Sequence, residues 1–202
     1  MAKIKFTKTE LKKQQDNKKQ FERFLPTLQL KKQQLQMEVR QSAEALEENL
    51  REQRRLEKEL AVCIAFFGDA AVSELVSSNV VISRVVTGTA NIAGINIPTF
   101  DHVEFEPQHI DLMTTDWYVD DALAALKSAA SLREAHRVLQ VQYDLLAAEL
   151  RTTSQRVNLF EKVKIPECKE NIRRICIFLG DMNTSAVARC KIAKGKAEER
   201  AS

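Results

Sequence analysis

Four cysteines and three histidines are the residues here best suited by type to metal, redox or acid–base chemistry. Cys63, Cys168, Cys176 and Cys190 have no CxxC spacing and no histidine nearby, so neither a zinc site nor a redox pair is written into their order. They read as reduced helix residues of a cytosolic protein, neither metal-bound nor disulfide-bonded. His102, His109 and His136 are not spaced with a Ser, Cys or carboxylate as a nucleophile–base set would be, and His136 falls on a helical apolar seam, where it reads as a polar core residue. There is no GxxxxGK[ST] string, so nothing cradles a nucleotide phosphate, and Lys194-Gly195-Lys196 reads as solvated tail. Glu47, Glu48, Glu52 and Glu57 alternate with Arg51, Arg55 and Lys58 at helix-pair spacing and read as a solvated face. The sequence therefore predicts no catalytic residue, no cofactor and no metal. Its chemistry is that of shape and charge.

The elements that would carry that shape are long. Phe21, Leu25, Leu28, Lys32, Leu35, Val39, Ser42, Leu46, Asn49, Gln53, Leu56, Leu60, Cys63 and Phe67 recur at steps of four and three, and most of them are apolar. A seam repeating every 3.5 residues has to be covered by another helix and favours a left-handed supercoil. Thr7-Lys8-Thr9-Glu10 has capping-box spacing for the helix start. Pro26 interrupts without ending the pattern, which predicts a bend. The helix is expected to stop within Gly68–Ser78.

A second seam runs Leu132, His136, Leu139, Tyr143, Leu146, Leu150, Thr153, Val157, Phe160. It slips near Pro166 and resumes as Ile165, Cys168, Ile172, Ile175, Leu179, Met182, Ala186. Asp116 is placed to cap this helix, Asp120 and Asp121 suit its positive end, and Trp117 reads as an anchor over its start. Between the helices the character changes. Val80-Val81-Ile82 and Arg84–Thr87 are rich in β-branched residues, and Ile95, Ile97, Val103 and Phe105 share one alternating phase. Gly88 and Gly94 bracket the expected connection of a β-hairpin, with Pro98 at an edge or bulge.

The predicted class is mainly α: a long two-helix antiparallel, left-handed coiled coil with a short β-hairpin inserted between the helices. The predicted boundaries are 1–78 for the first helix, 79–115 for the hairpin and loop, 116–193 for the second helix and 194–202 for a flexible basic and polar tail. If Pro26 faces Pro166, facing residue numbers add to 192 and Leu60 lies opposite Leu132. Five Gly and four Pro in 202 residues leave few turns for a compact α/β domain.

Charge is uneven although the net is only +3. Residues 1–40 carry eleven Lys/Arg against four Asp/Glu and residues 161–202 ten against six, while residues 41–160 carry ten against eighteen. Antiparallel pairing would gather the two basic stretches at one end, with Lys8, Lys12, Lys13, Arg189 and Lys191 as candidate partner contacts. The basic stretches hold almost no aromatics placed for stacking on bases, which argues against nucleic-acid binding. No stretch approaches the eighteen apolar residues of a membrane span.

Three strings carry a resemblance. Leu25-Pro26-Thr27-Leu28-Gln29-Leu30-Lys31-Lys32 resembles the "LP-L-LKK" signature of the D subunit of the V-type and archaeal-type rotary ATPases. Asn91-Ile92-Ala93-Gly94-Ile95-Asn96-Ile97-Pro98 is similar to the hairpin string of that subunit. Arg156-Val157-Asn158, followed by Glu161 and by Ile165-Pro166, is similar to its "RRVNALE---IP" stretch. Order and spacing agree over about Leu11 to Lys191. The resemblance implies a non-catalytic central-stalk rotor shaft whose paired termini enter the hexamer of catalytic and non-catalytic subunits. It implies contacts of the hairpin end with the small F subunit of the central stalk and with the cap subunit of the proton- or sodium-translocating ring. It implies a cytoplasmic place, peripheral to the membrane and not inserted in it, with no nucleic-acid partner. Without the three strings, a coiled-coil scaffold or a basic nucleic-acid-binding coiled coil is the competing reading.

Overall fold

The computed structural model describes residues 4–63, 80–107 and 119–201. Helix α1 spans Lys8–Cys63, strands β1 and β2 span Ile82–Ile92 and Ile95–Phe105, and helix α2 spans Val119–Asn158. A π-helical segment, Leu159–Lys164, joins α2 to helix α3, Ile165–Ala201. The fold is the predicted class, a long helix pair with a two-stranded antiparallel hairpin between its members. The expected helix end at Gly68–Ser78, Phe67, His109, Asp116 and Trp117 lie outside the described residues. The chain divides into two compact units, Met1–Lys32 with Thr152–Ser202, and Gln33–Arg151.

Helix α1 begins as the capping-box spacing predicts: the Glu10 N–H donates to Thr7 Oγ1 at 3.2 Å, and the Leu11 N–H to the Thr7 carbonyl at 3.0 Å. The first of these bonds occupies a donor that the first helical turn would otherwise leave unpaired, and the second is the first regular bond of the helix. Pro26 lies within the helix without ending it. The Thr27 hydroxyl donates to the Phe24 carbonyl at 2.8 Å beside it. The seam is the predicted one, with Leu35 and Asn49 buried and Phe21, Leu25, Leu28, Val39, Leu46, Gln53, Leu56 and Leu60 half-buried along it.

In the Gln33–Arg151 unit the hairpin has a two-residue connection, not the Gly88–Gly94 span expected. Ala93 and Gly94 take φ of 52° and 82°, both positive as a type I′ turn requires. The Asn91 Oδ1 accepts the Gly94 N–H at 3.1 Å, and its Nδ2 donates to Asn96 Oδ1 at 2.7 Å. Gly88 instead sits within β1 opposite Thr99, where a Cβ would stand 2.6 Å from Thr99 Oγ1. β-branched side chains and short Thr and Ser residues around it sustain the ladder, and register shifts fall between Ile82 and Arg84 and between Val86 and Thr87.

The hairpin packs on the helices. Leu35 of α1, Leu146 of α2 and Ile97 of β2 form a buried cluster, with Val39, Ala90, Ile92, Ala93, Ile95 and Leu150 against it. Each fully buried Leu contributes about 1.5–3 kcal/mol relative to exposure, which is how a hairpin marginal on its own stays folded. Pro98 pairs with Thr89. Counting from the turn-closing pair Ile92–Ile95, this is a position where ladder groups point away from the partner strand. The missing N–H is harmless there, and the outward Pro98 carbonyl accepts from Gln142 Nε2 of α2.

In the other unit the helices are antiparallel, but not in the register set by facing prolines. Phe21 stacks on Phe160 with centroids 5.2 Å apart, and Phe6 meets Phe178 at 5.1 Å. Those numbers add to 181 and 184. Within the Gln33–Arg151 unit, Gln53 reaches Leu132, and those add to 185. The expected constant of 192 is therefore wrong by a heptad or more. Pro26 is level with the Arg156 turn, and Pro166 lies beyond it. The π segment absorbs the irregularity around Pro166 by itself.

Candidate functional site

The three strings with a family resemblance are placed by these elements. Leu25 and Leu28 lie half-buried on the α1 seam, Pro26 is exposed beside them and Lys31 is half-buried one turn on. Val157 is buried in the last turn of α2, flanked by exposed Arg156 and Asn158. The Phe21–Phe160 stack fixes these two strings level with each other in one unit. Gly94 and Pro98 belong to the hairpin in the other unit, Gly94 in the turn and Pro98 against Gln142.

Glu161 lies inside the π segment and Pro166 directly after its end. The predicted slip of the second seam is this segment. Val157 and Phe160 are three apart, but the next buried position, Ile165, is five further on instead of four. One extra residue in a helix is what a π-bulge accommodates. The Ile165 N–H bonds the Phe160 carbonyl, five residues back. Pro166 has no N–H and would clash with a carbonyl four residues earlier in a regular helix; widening the preceding turn removes that clash. Beyond it Cys168, Asn171 and Ile175 are buried. Burial raises the Cys168 thiol above its ordinary pKa, Glu167 adds to the rise, and Lys164 opposes it.

The basic candidates are not gathered together. Lys8, Lys12 and Lys13 are exposed on the first turns of α1. Phe6 meets Phe178, and Arg189 and Lys191 lie 11 and 13 residues past that contact, about 16–20 Å along α3. From Asp181 to Glu199, α3 is exposed at every position except half-buried Gly195. Met182 and Ala186, expected on the seam, are exposed there, Met182 at 49%. Residues 194–201, expected as a tail, continue the helix. This overhang presents Met182, Val187 (56% exposed) and Ile192 (59% exposed) among Arg189, Lys191, Lys194 and Lys196. Sequence reading misses it because the heptads continue into a stretch where the helix is exposed.

Among the described residues no group of three or more His, Cys, Asp and Glu is placed to hold a metal, and no helix is long and apolar enough to cross a membrane. His102 is exposed beside Asp101 and Glu104, at 3.4 and 3.7 Å. Ion pairs within the helices, such as Arg40–Glu44, Arg51–Glu47 and Arg55–Glu59, join neighbours four residues apart on exposed faces.

A long antiparallel helix pair with an inserted hairpin, interrupted by a π-bulge beside a proline, defines the class: a coiled-coil helical hairpin. The sequence profile of the family of the ATP synthase D subunit matches residues 10–195, and the chain belongs to that family. It is 46% identical over 194 residues to the V-type ATP synthase D subunit of Borreliella burgdorferi, covering 96% of this chain and 95% of that one. It is 29% identical to the V-type ATP synthase D subunit of Chlamydia pneumoniae (98% and 94% covered) and 29% identical to that of Chlamydia muridarum (98% of each).

Proposed function

We propose that this chain is the central-stalk rotor shaft of a V-type ATPase, turning sequential closure of nucleotide sites into rotation of a membrane ring that carries protons or sodium ions. The hydrolysis or synthesis of ATP belongs to the hexamer of catalytic and non-catalytic subunits. This chain contributes no nucleophile and no phosphate loop to it. The observation that carries the reading is the exposed overhang of α3, a helical stretch with apolar residues left uncovered and cations around them. In the proposed complex it sits in the bore of the hexamer, with Arg189 and Lys191 deeper than Lys8, Lys12 and Lys13. The small central-stalk F subunit and the cap subunit of the ring would hold the other parts of the chain, on the cytoplasmic side and outside the membrane.

A shaft must slip past three sites without seizing. Exposed ion pairs contribute only about 0–1 kcal/mol each and weaken with salt, so many weak contacts suit a bearing better than a few strong ones. Family membership across nearly the whole chain supports the assignment, and the resemblance in the three strings supports it further. The test is a truncation after Gly180, titrated into the reconstituted hexamer. The expected result is at least tenfold weaker binding with unchanged unfolding of the remaining helices. Equal affinity would remove the overhang from the interface.

A further inference from the structure

The α1–α2 pair contains a polar layer in a mostly apolar seam. Gln53 Nε2 donates to the Leu132 carbonyl at 3.1 Å, across the pair, and to Asn49 Oδ1 at 2.8 Å. Asn49 is buried, 8% exposed. His136 lies one turn from Leu132, level with Asn49, and its Nδ1 is buried without a hydrogen-bond partner. Ala135, three residues after Leu132, is small and buried, which leaves the Leu132 carbonyl open to a side chain from α1.

Such a layer is a poor source of stability. A buried polar atom without a partner costs about 1–3 kcal/mol, and replacing polar groups in a helix seam by apolar ones of like shape is often neutral or favourable. What a polar seam residue supplies in helix pairs is choice of register. Here the choice is a real one. A seam of Leu and Val repeats every heptad, so sliding one helix by seven residues keeps apolar positions facing each other. The slid register in which numbers add to 192, instead of the 185 of Gln53 and Leu132, puts Leu60 against Leu132 and brings Pro26 opposite Pro166. It also puts Gln53 against Leu139, Asn49 against Tyr143 and His136 against Leu56. In the observed register the three polar side chains instead fall on two adjacent levels, Asn49 with His136 and Gln53 with Leu132.

We propose that Asn49, Gln53 and His136, with the Leu132 carbonyl, form the register lock of the α1–α2 pair, selecting the observed alignment over the one-heptad slip that the apolar pattern allows. The lock is a property of the chain itself and stands whether or not it works as a rotor. Its functional consequence is axial: a helix pair loaded along its length cannot creep by a heptad without giving up the Gln53–Leu132 hydrogen bond.

The test uses the full chain with spin labels on genetically encoded keto side chains at Arg40 and Ser128, exposed positions on α1 and α2 whose levels differ by about 25 Å. The unsubstituted chain should give one narrow label-to-label distance. Gln53→Met keeps the volume and removes the donor, and Asn49→Leu keeps the shape and removes the acceptor. The Gln53→Met chain and the double variant should melt at the same temperature or higher, and should show a second distance population displaced by the ~10 Å of a one-heptad slip. A single unchanged distance in both variants would overturn the proposal, because the Leu35–Ile97–Leu146 cluster would then be setting register. Unfolding of the isosteric Gln53→Met chain would overturn it too, because the layer would then be a source of stability.

Discussion

The backbone N–H of Ile165 donates to the carbonyl of Phe160, five residues back, and Pro166 follows directly. The extra residue and the proline adjoin: the first shifts the seam by one position, and the widened turn relieves the clash the second would make with a carbonyl four residues back.

Deleting Lys162 should therefore act differently in two backgrounds. Alone, it places Pro166 in a regular helix interior and should destabilise by about 3 kcal/mol. Combined with Pro166→Ala it should restore a continuous helix with the seam in phase and recover most of that loss, measured by denaturant unfolding. Equal destabilisation in both backgrounds would detach the bulge from the proline.

The hairpin is held by the cluster under its tip. Leu35→Ala and Leu146→Ala should each cost about 2–5 kcal/mol, whereas Met37→Ala, on a residue 63% exposed, should stay within about 0.5 kcal/mol. Chemical denaturation of the three variants checks this, and a Leu35→Ala change as mild as Met37→Ala would contradict the packing.

Gly88 is required by closeness to Thr99. Gly88→Ala should destabilise by about 1–3 kcal/mol, and Thr99→Ala in the same chain should relieve at least about 0.5 kcal/mol of it as a coupling energy. Strict additivity in the double-mutant cycle would contradict the 2.6 Å approach.

Cys168 contributes a loss of stability at alkaline pH. Its thiol holds its proton more tightly folded than unfolded, so the folded chain binds more protons once the unfolded thiol ionises. Stability from this group is complete below the ordinary value of 9.0 and falls as pH rises above it. Cys168→Ala should flatten that decline. Alkylation at about pH 8 should also spare buried Cys168 while modifying exposed Cys176 and Cys190; equal rates at all three would contradict the burial.

Much of the fold is legible in the sequence, and the exceptions have physical causes. The α1 seam can be read residue by residue because each position repeats against a helix of the same period. The slip near Pro166 is visible as a spacing of five, although the wide turn that carries it is not. The hairpin's strands are marked by β-branched residues, but Gly88 looks like punctuation when it is a close-packed strand residue. Register is not legible in the apolar heptads, which repeat and so fit a slid pairing equally well. Nor is the overhang, since Met182 and Ala186 keep a heptad pattern beyond the Phe6–Phe178 contact but are exposed.

A rotor shaft has to turn, and rotation can be watched. The hexamer of catalytic and non-catalytic subunits is fixed to a surface, a bead is attached to this chain's exposed hairpin face, and ATP is supplied. The bead is expected to rotate in one direction, in steps that reflect three sites, and to stop when ATP is exhausted. A bead that stays still, or jitters without net direction, while the same hexamers hydrolyse ATP would show that this chain is no shaft.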